Sequence, residues 1–124
     1  MKERRTNPDF LNGVPELLIL QLLAQKPMYG YELVSTIKQA TGEALAFGEG
    51  CVYPLLHRLE KEGSLVSRRE TVGGRSRVVY RVSTRGKGKL QAATQRWREV
   101  VQAVAAVLQG GLHDSSSVSQ QYAS

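Results

Sequence analysis

The sequence predicts a mainly α-helical chain carrying one small β-hairpin, a helix-turn-helix domain with a wing and a C-terminal dimerisation helix. Three observations predict it. Apolar-periodic stretches between residues 11 and 63 are closed in turn by Pro27, Gly42 and Gly63. Two strand-like runs then flank Gly73-Gly74, and a final stretch repeats its apolar residues every seven positions.

The first helix is expected over about Asn12 to Gln25, with Pro15 suited to the first turn and Pro27 closing it. Leu17, Leu18, Ile19, Leu20, Leu22 and Leu23 cover most of its circumference, so it should be buried on more than one side. A second helix is expected over Met28 to Thr41, with Leu33, Val34, Ile37 and Ala40 on one face and Gly42 as its stop. In the link Glu43 to Gly50, Leu45 and Phe47 alternate as in a short strand. The third helix carries Val52, Leu55, Leu56 and Leu59 at helical spacing, and Gly63 ends it. At 100° per residue, Gly50, Pro54, His57 and Lys61 lie opposite that stripe, flanked by Tyr53 and Arg58.

Leu65 to Val72 and Arg75 to Ser83 read as a hairpin, because both glycines between them can take positive φ. On the second strand Val78, Tyr80 and Val82 share one face, and Arg77, Val79 and Arg81 the other. Thr84 is the expected N-cap of a last helix reaching about Gln109. In it Leu90, Trp97 and Val104 repeat every seven residues, as do Ala93, Val100 and Val107, the seam of a coiled coil. The expected organisation is therefore an arm over residues 1–10, a winged domain over 11–83, a dimerisation helix over 84–109 and a disordered tail over 110–124.

Composition narrows the function. The chain has 124 residues, one domain in size, and is 41% apolar and 23% charged, as globular proteins are. One cysteine, Cys51, excludes an internal disulfide and a Cys-rich zinc module. His57 and His113 lack metal-ligand spacing. No nucleophile–base arrangement, catalytic carboxylate pair or phosphate-binding loop is evident, so neither an enzyme nor a cofactor or metal is expected. Leu17 to Ala24, interrupted by Gln21, is too short to span a membrane, and a cytoplasmic protein is expected.

The net charge is +6. Arg68, Arg69, Arg75, Arg77, Arg81, Arg85, Lys87 and Lys89 are opposed in their segment only by Glu70, which gives it +7 and leaves −1 for the rest. Such a block is the footprint of a polyanion-binding surface, or else a solvated strand-and-loop face. Three helices followed by a hairpin with a basic tip favour DNA. A helix with a polar outer face can enter the major groove while a wing reaches the neighbouring backbone or minor groove. Arg85, Lys87 and Lys89 at the start of the last helix oppose its dipole, which points to an anion nearby.

Three blocks carry a family resemblance: Pro27-Met28-Tyr29-Gly30-Tyr31-Glu32-Leu33, Gly50 to Gly63 (GCVYPLLHRLEKEG), and Gly74 to Gly86 (GRSRVVYRVSTRG). In order and spacing they resemble the PadR family of bacterial transcriptional regulators, specifically the subgroup with a compact C-terminal helix, over about Leu17 to Leu90. The resemblance implies a winged-helix repressor, dimeric through its first and last helices, bound to an inverted-repeat operator in double-stranded DNA. It further implies that a small aromatic effector is a candidate ligand.

The expected recognition residues are Glu49, Gly50, Tyr53, Pro54, His57, Arg58 and Lys61, supported from the second helix by Tyr29, Tyr31, Ser35 and Lys38. Gly73, Gly74, Arg75 and Arg77 form the wing, and Arg81, Arg85, Lys87 and Lys89 are candidates for phosphate contact. The expected dimer interface holds Leu18, Leu22, Leu90, Ala93, Trp97, Val100, Val104 and Val107, and Trp97 is also the candidate effector contact. The tyrosines could equally be core residues with wet hydroxyls, and Trp97 an interface residue needing no ligand. Cys51 stands where the family has Thr or Ser as a helix cap. It is either a small residue tolerated there or a redox switch at a helix N-terminus. The alternative function is a winged-helix adaptor dimer that binds protein and does not read DNA.

Overall fold

A computed structural model of the chain describes residues 13–110. The expected arm over residues 1–10, and the expected tail beyond Gly110, lie outside the described residues. The elements are α1 (Val14–Gln25), β1 (Met28–Tyr29), α2 (Gly30–Ala40), α3 (Glu49–Lys61), β2 (Leu65–Val72), β3 (Arg75–Val82) and α4 (Thr84–Leu108). The fold is a winged helix-turn-helix followed by a long helix. Among the described residues the chain divides into two units, one ending at Leu90 and one beginning at Gln91.

The core of the first unit gathers one stripe from each helix and the inner face of the hairpin: Ile19, Leu20 and Leu23 of α1, Leu33 and Ile37 of α2, Val52, Leu56 and Leu59 of α3, and Leu65 and Tyr80. Leu18 and Leu22 are half-buried against this same core, as is Leu90 at the base of α4. Two of the helices end in the same way. Gly63, at φ 88, lets its own N–H reach Glu60 O at 3.0 Å and the Ser64 N–H reach Leu59 O at 2.8 Å. Gly42, at φ 60, does the same for α2, with bonds to Gln39 O and from Glu43 to Lys38 O. Both are Schellman stops, which a residue with a Cβ closes less readily.

The hairpin forms in the expected register, with Val72 opposite Arg75 and both turn glycines at positive φ (59° and 80°). That is the paired left-handed geometry a two-residue hairpin turn demands.

Three expectations need correction. The sheet has three strands, ordered β1-β3-β2. Met28 and Tyr29, expected to open the second helix, instead pair with Tyr80 and Val79. The extended chain after Pro27 supplies backbone groups to the open edge of β3, and this ladder outweighs one further helical turn. The added strand also covers Val79, which is buried although it shares a face with Arg77 and Arg81.

Second, the link after α2 contains no strand. The Leu45 N–H donates to the Thr41 hydroxyl at 3.1 Å, and Glu43 sits at φ 67, so the chain curls there and delivers Phe47 into the core.

Third, the cap of α4 is Ser83, not Thr84. Its hydroxyl accepts the Gly86 N–H at 3.1 Å and donates to Gly63 O at 2.6 Å, so one side chain closes α4 and joins it to the turn after α3.

Candidate nucleic-acid interface

Helix α3 is amphipathic. Val52, Leu56 and Leu59 have no exposed surface, while Glu49, Gly50, Pro54, His57, Arg58 and Lys61 on the other side are exposed and Tyr53 is half-buried. Pro54 lies inside the helix and has no N–H to give the Gly50 carbonyl four residues back. Gly50 has no side chain, and its Cβ position is open. The outer side of the first turns is thus low in relief, with a backbone acceptor unclaimed by the helix ladder.

Gly48 is the N-cap of α3 and makes no side-chain cap bond. Cys51 is the third residue of the helix, so position 51 is not the cap that the family resemblance implied. Burial pushes its thiol up from the ordinary value, the opposite of what a reactive thiolate needs. The side chain lines a groove of about 400 Å³ between α1 and α3, beside Pro15, Glu16, Pro54 and Arg58.

The start of α2 lies against α3 at one point of close approach. A Cβ on Gly30 would lie 2.4 Å from the Tyr53 ring, so glycine is required for this tyrosine to lie where it does. Tyr31 and Lys38 are exposed and Ser35 is half-buried.

Gly73, Gly74 and Arg75 form an exposed wing tip. Arg77 does not extend to that tip. Its guanidinium lies 4.4 Å from the centre of the Tyr29 ring, and its Nε is buried without a hydrogen-bond partner among the described residues. Arg69 Nη1 donates to the Ser76 hydroxyl at 3.3 Å. These groups, with Tyr53, His57 and Tyr80, border a cavity of about 320 Å³ between α3 and the wing. Burial, followed by the charge of Glu60, raises the pKa of Tyr80, whose hydroxyl stays protonated.

Other cations are engaged within the chain. Arg81 Nη1 lies 2.8 Å from Glu70, and this contact holds the Glu70 carboxyl below the usual range. Arg58 and Lys89 belong to a closed ring of four charges. Arg58 meets Glu16 at 2.6 Å and Glu62 at 3.9 Å, and Lys89 meets Glu16 at 3.5 Å and hydrogen-bonds Glu62. The anion beside Lys89 that the charge pattern called for is therefore at least partly internal. Arg85 packs its side chain over Gly63, and Lys87 is exposed.

The second unit is helical through Leu108. Trp97, Val100, Val101, Val104, Val107 and Leu108 are 43% to 79% exposed, an apolar stripe at seam spacing, while Ala93 is half-buried. Among the described residues no helix is long and apolar enough to cross a membrane.

The profile of the PadR-like family of transcriptional regulators matches residues 19–92. The chain belongs to this family. A transcriptional regulator of Mycobacterium tuberculosis is 31% identical over 109 residues, 88% of this chain and 96% of that one. A PadR-like transcriptional regulator from Bacillus cereus superposes with a TM-score of 0.72 at 31% identity, covering 82% of this chain and 98% of the other. A Clostridium thermocellum transcriptional regulator gives 0.73 at 26% identity, covering 79% and 96%. This PadR-like chain is thus a transcriptional regulator and not an enzyme.

Sequence reasoning missed Glu16, Glu62 and Ser83, and the tight fits of Gly30 and Gly86. The two glycines fall within the quoted family blocks. No sequence signal tied Glu16 to Arg58, which is 42 residues away.

Proposed function

We propose that this PadR-like regulator is a homodimer that binds an inverted-repeat operator in double-stranded DNA and represses transcription, with α3 as recognition helix and β2–β3 as wing. The observation that carries the reading is the pairing of a fully buried stripe on α3 with an exposed polar outer face, beside a cationic hairpin. Only that outer face is free to enter a major groove. Glu49 accepts from cytosine, while Gly50 and Pro54 permit close approach. Arg75, Arg85 and Lys87 position the protein on phosphate. The apolar stripe of α4 supports pairing with a second copy, and Trp97 on that stripe is the candidate contact for a small aromatic effector that releases the operator.

The test is selection from random duplex DNA with wild type, Glu49→Ala and His57→Ala. Each variant should change preference at one position in each half-site by about 1–3 kcal/mol. Half-sites should lie about one helical turn apart. Unchanged position weights in both variants would overturn the assignment of α3. An adaptor that binds only protein would show no duplex binding with a steep salt dependence.

A further inference from the structure

We propose that the cavity between α3 and the wing is a seat for one phosphodiester of the DNA backbone, held by Arg77 on a shelf made by Tyr29. The proposal rests on the DNA-binding reading above and assigns to Arg77 a role different from that of the wing tip.

Four observations carry it. The cavity is bordered by two guanidinium groups, Arg69 and Arg77, by the hydroxyl-bearing Tyr53 and Ser76, and by no carboxylate. The guanidinium carbon of Arg77 lies over the Tyr29 ring, 4.4 Å from its centre. A cation over a ring face is held by the ring quadrupole and not by a hydrogen-bond acceptor, so the ring positions the guanidinium without supplying the oxygen its N–H donors take. The Nε of Arg77 is buried and unpartnered among the described residues. A buried donor left without an acceptor is costly, and an anionic oxygen is the acceptor a guanidinium takes best. Finally, neither nearby carboxylate borders the cavity: Glu60 accepts from Ser67 at 2.6 Å, and Glu70, which stands cross-strand from Arg77, lies 2.8 Å from Arg81 Nη1.

Position selects the source of the phosphate. With α3 in a major groove and the wing tip at the adjacent minor groove, the strand that separates the two grooves passes over the gap between them. That strand presents its sugar-phosphate backbone to the cavity. Arg75, three positions beyond Val72 at the turn, is left to the minor groove or to phosphates further along.

Methylphosphonate interference on the selected operator tests this, because it neutralises one phosphate at a time. Wild type should show one position per half-site where neutralisation weakens binding about tenfold. Arg77→Met should lose a similar factor on unmodified DNA and become insensitive to neutralisation at that position alone. Arg75→Met should bind more weakly yet keep the interference. Arg77→Lys, which keeps the charge without the planar fork, should fall between wild type and Arg77→Met, and serves where the Met variant fails to fold. An interference profile unchanged by Arg77→Met overturns the seat. Saturable stabilisation by inorganic phosphate that needs Arg77, without the interference effect, would assign the cavity to a free anion and likewise overturn it. If wild type binds no duplex at all, the DNA-binding reading falls with it.

Discussion

A Cβ on Gly86 would lie 2.1 Å from the carbonyl oxygen of Ser64, so the first turn of α4 touches the turn after α3 backbone to backbone. The same carbonyl accepts the Ser83 N–H at 3.0 Å. The base of α4 is thereby joined to the turn that ends α3 with no side chain between them.

Gly86→Ala should therefore destabilise the protein by about 3 kcal/mol, the upper end of overpacking costs, since the obstacle is backbone and cannot swing aside. Gly88→Ala is the internal control, because nothing lies within 4 Å of its Cβ position. It should stabilise α4 by about 0.5–1 kcal/mol. Urea midpoints of the two variants, compared with wild type, should move in opposite directions.

The two candidate caps of α4 are separable. Ser83→Ala removes both the cap to Gly86 and the bond to Gly63 and should cost about 1–2 kcal/mol. Thr84→Ala should stay within about 0.5 kcal/mol of wild type. Equal costs in thermal or chemical denaturation would return the cap to Thr84.

The ring of Glu16, Arg58, Glu62 and Lys89 makes a pH-dependent contribution. The Lys89 hydrogen bond, chiefly, holds the Glu62 carboxyl below its ordinary value near 4.5. A carboxyl whose folded pKa is depressed stabilises fully above the unfolded value and loses that stabilisation as pH falls through the folded one. Lys89→Met should thus be less stable than wild type by about 0.5–1 kcal/mol at neutral pH. The gap should shrink in acid below about pH 4.5. A gap that stays constant down to about pH 2 would mean that Lys89 acts by packing alone.

Trp97→Glu together with Val104→Glu places two charges on the exposed stripe of α4 and should give a monomer in sedimentation velocity, where wild type should sediment as a dimer at micromolar concentration. Because both side chains are exposed in the single chain, the melting of the first unit should change little. Wild type sedimenting as a monomer would remove the basis for pairing through α4.

Cys51 should be slow to react. Burial raises its thiol pKa, so thiolate is scarce at neutral pH. Its rate with a disulfide reagent should be lower than that of free glutathione, and mild peroxide should leave DNA affinity unchanged. A rate above that of glutathione would revive the redox reading.

The sequence by itself determined the elements that local chemistry dictates. Gly63 and Gly42 stop helices because only their backbone turns left-handed cheaply, and Gly73-Gly74 sets a hairpin register that one strand pattern alone could not. The stripe Val52, Leu56 and Leu59 fixed which side of α3 is buried and hence which is free, and the blocks around it made the family legible. What tertiary structure decided were matters between residues distant in the chain. Met28 and Tyr29 became a strand because β3 offered an edge, which no window around residue 28 contains. Arg58 and Arg81 looked like free cations until Glu16 and Glu70 were brought beside them, and Arg77 looked like one more cation of the wing until it was found on Tyr29. The physical reason is the range of the forces involved. Caps, turns and periodicity act over a few residues, whereas ion pairing, stacking and close backbone approach depend on where the folded chain returns upon itself.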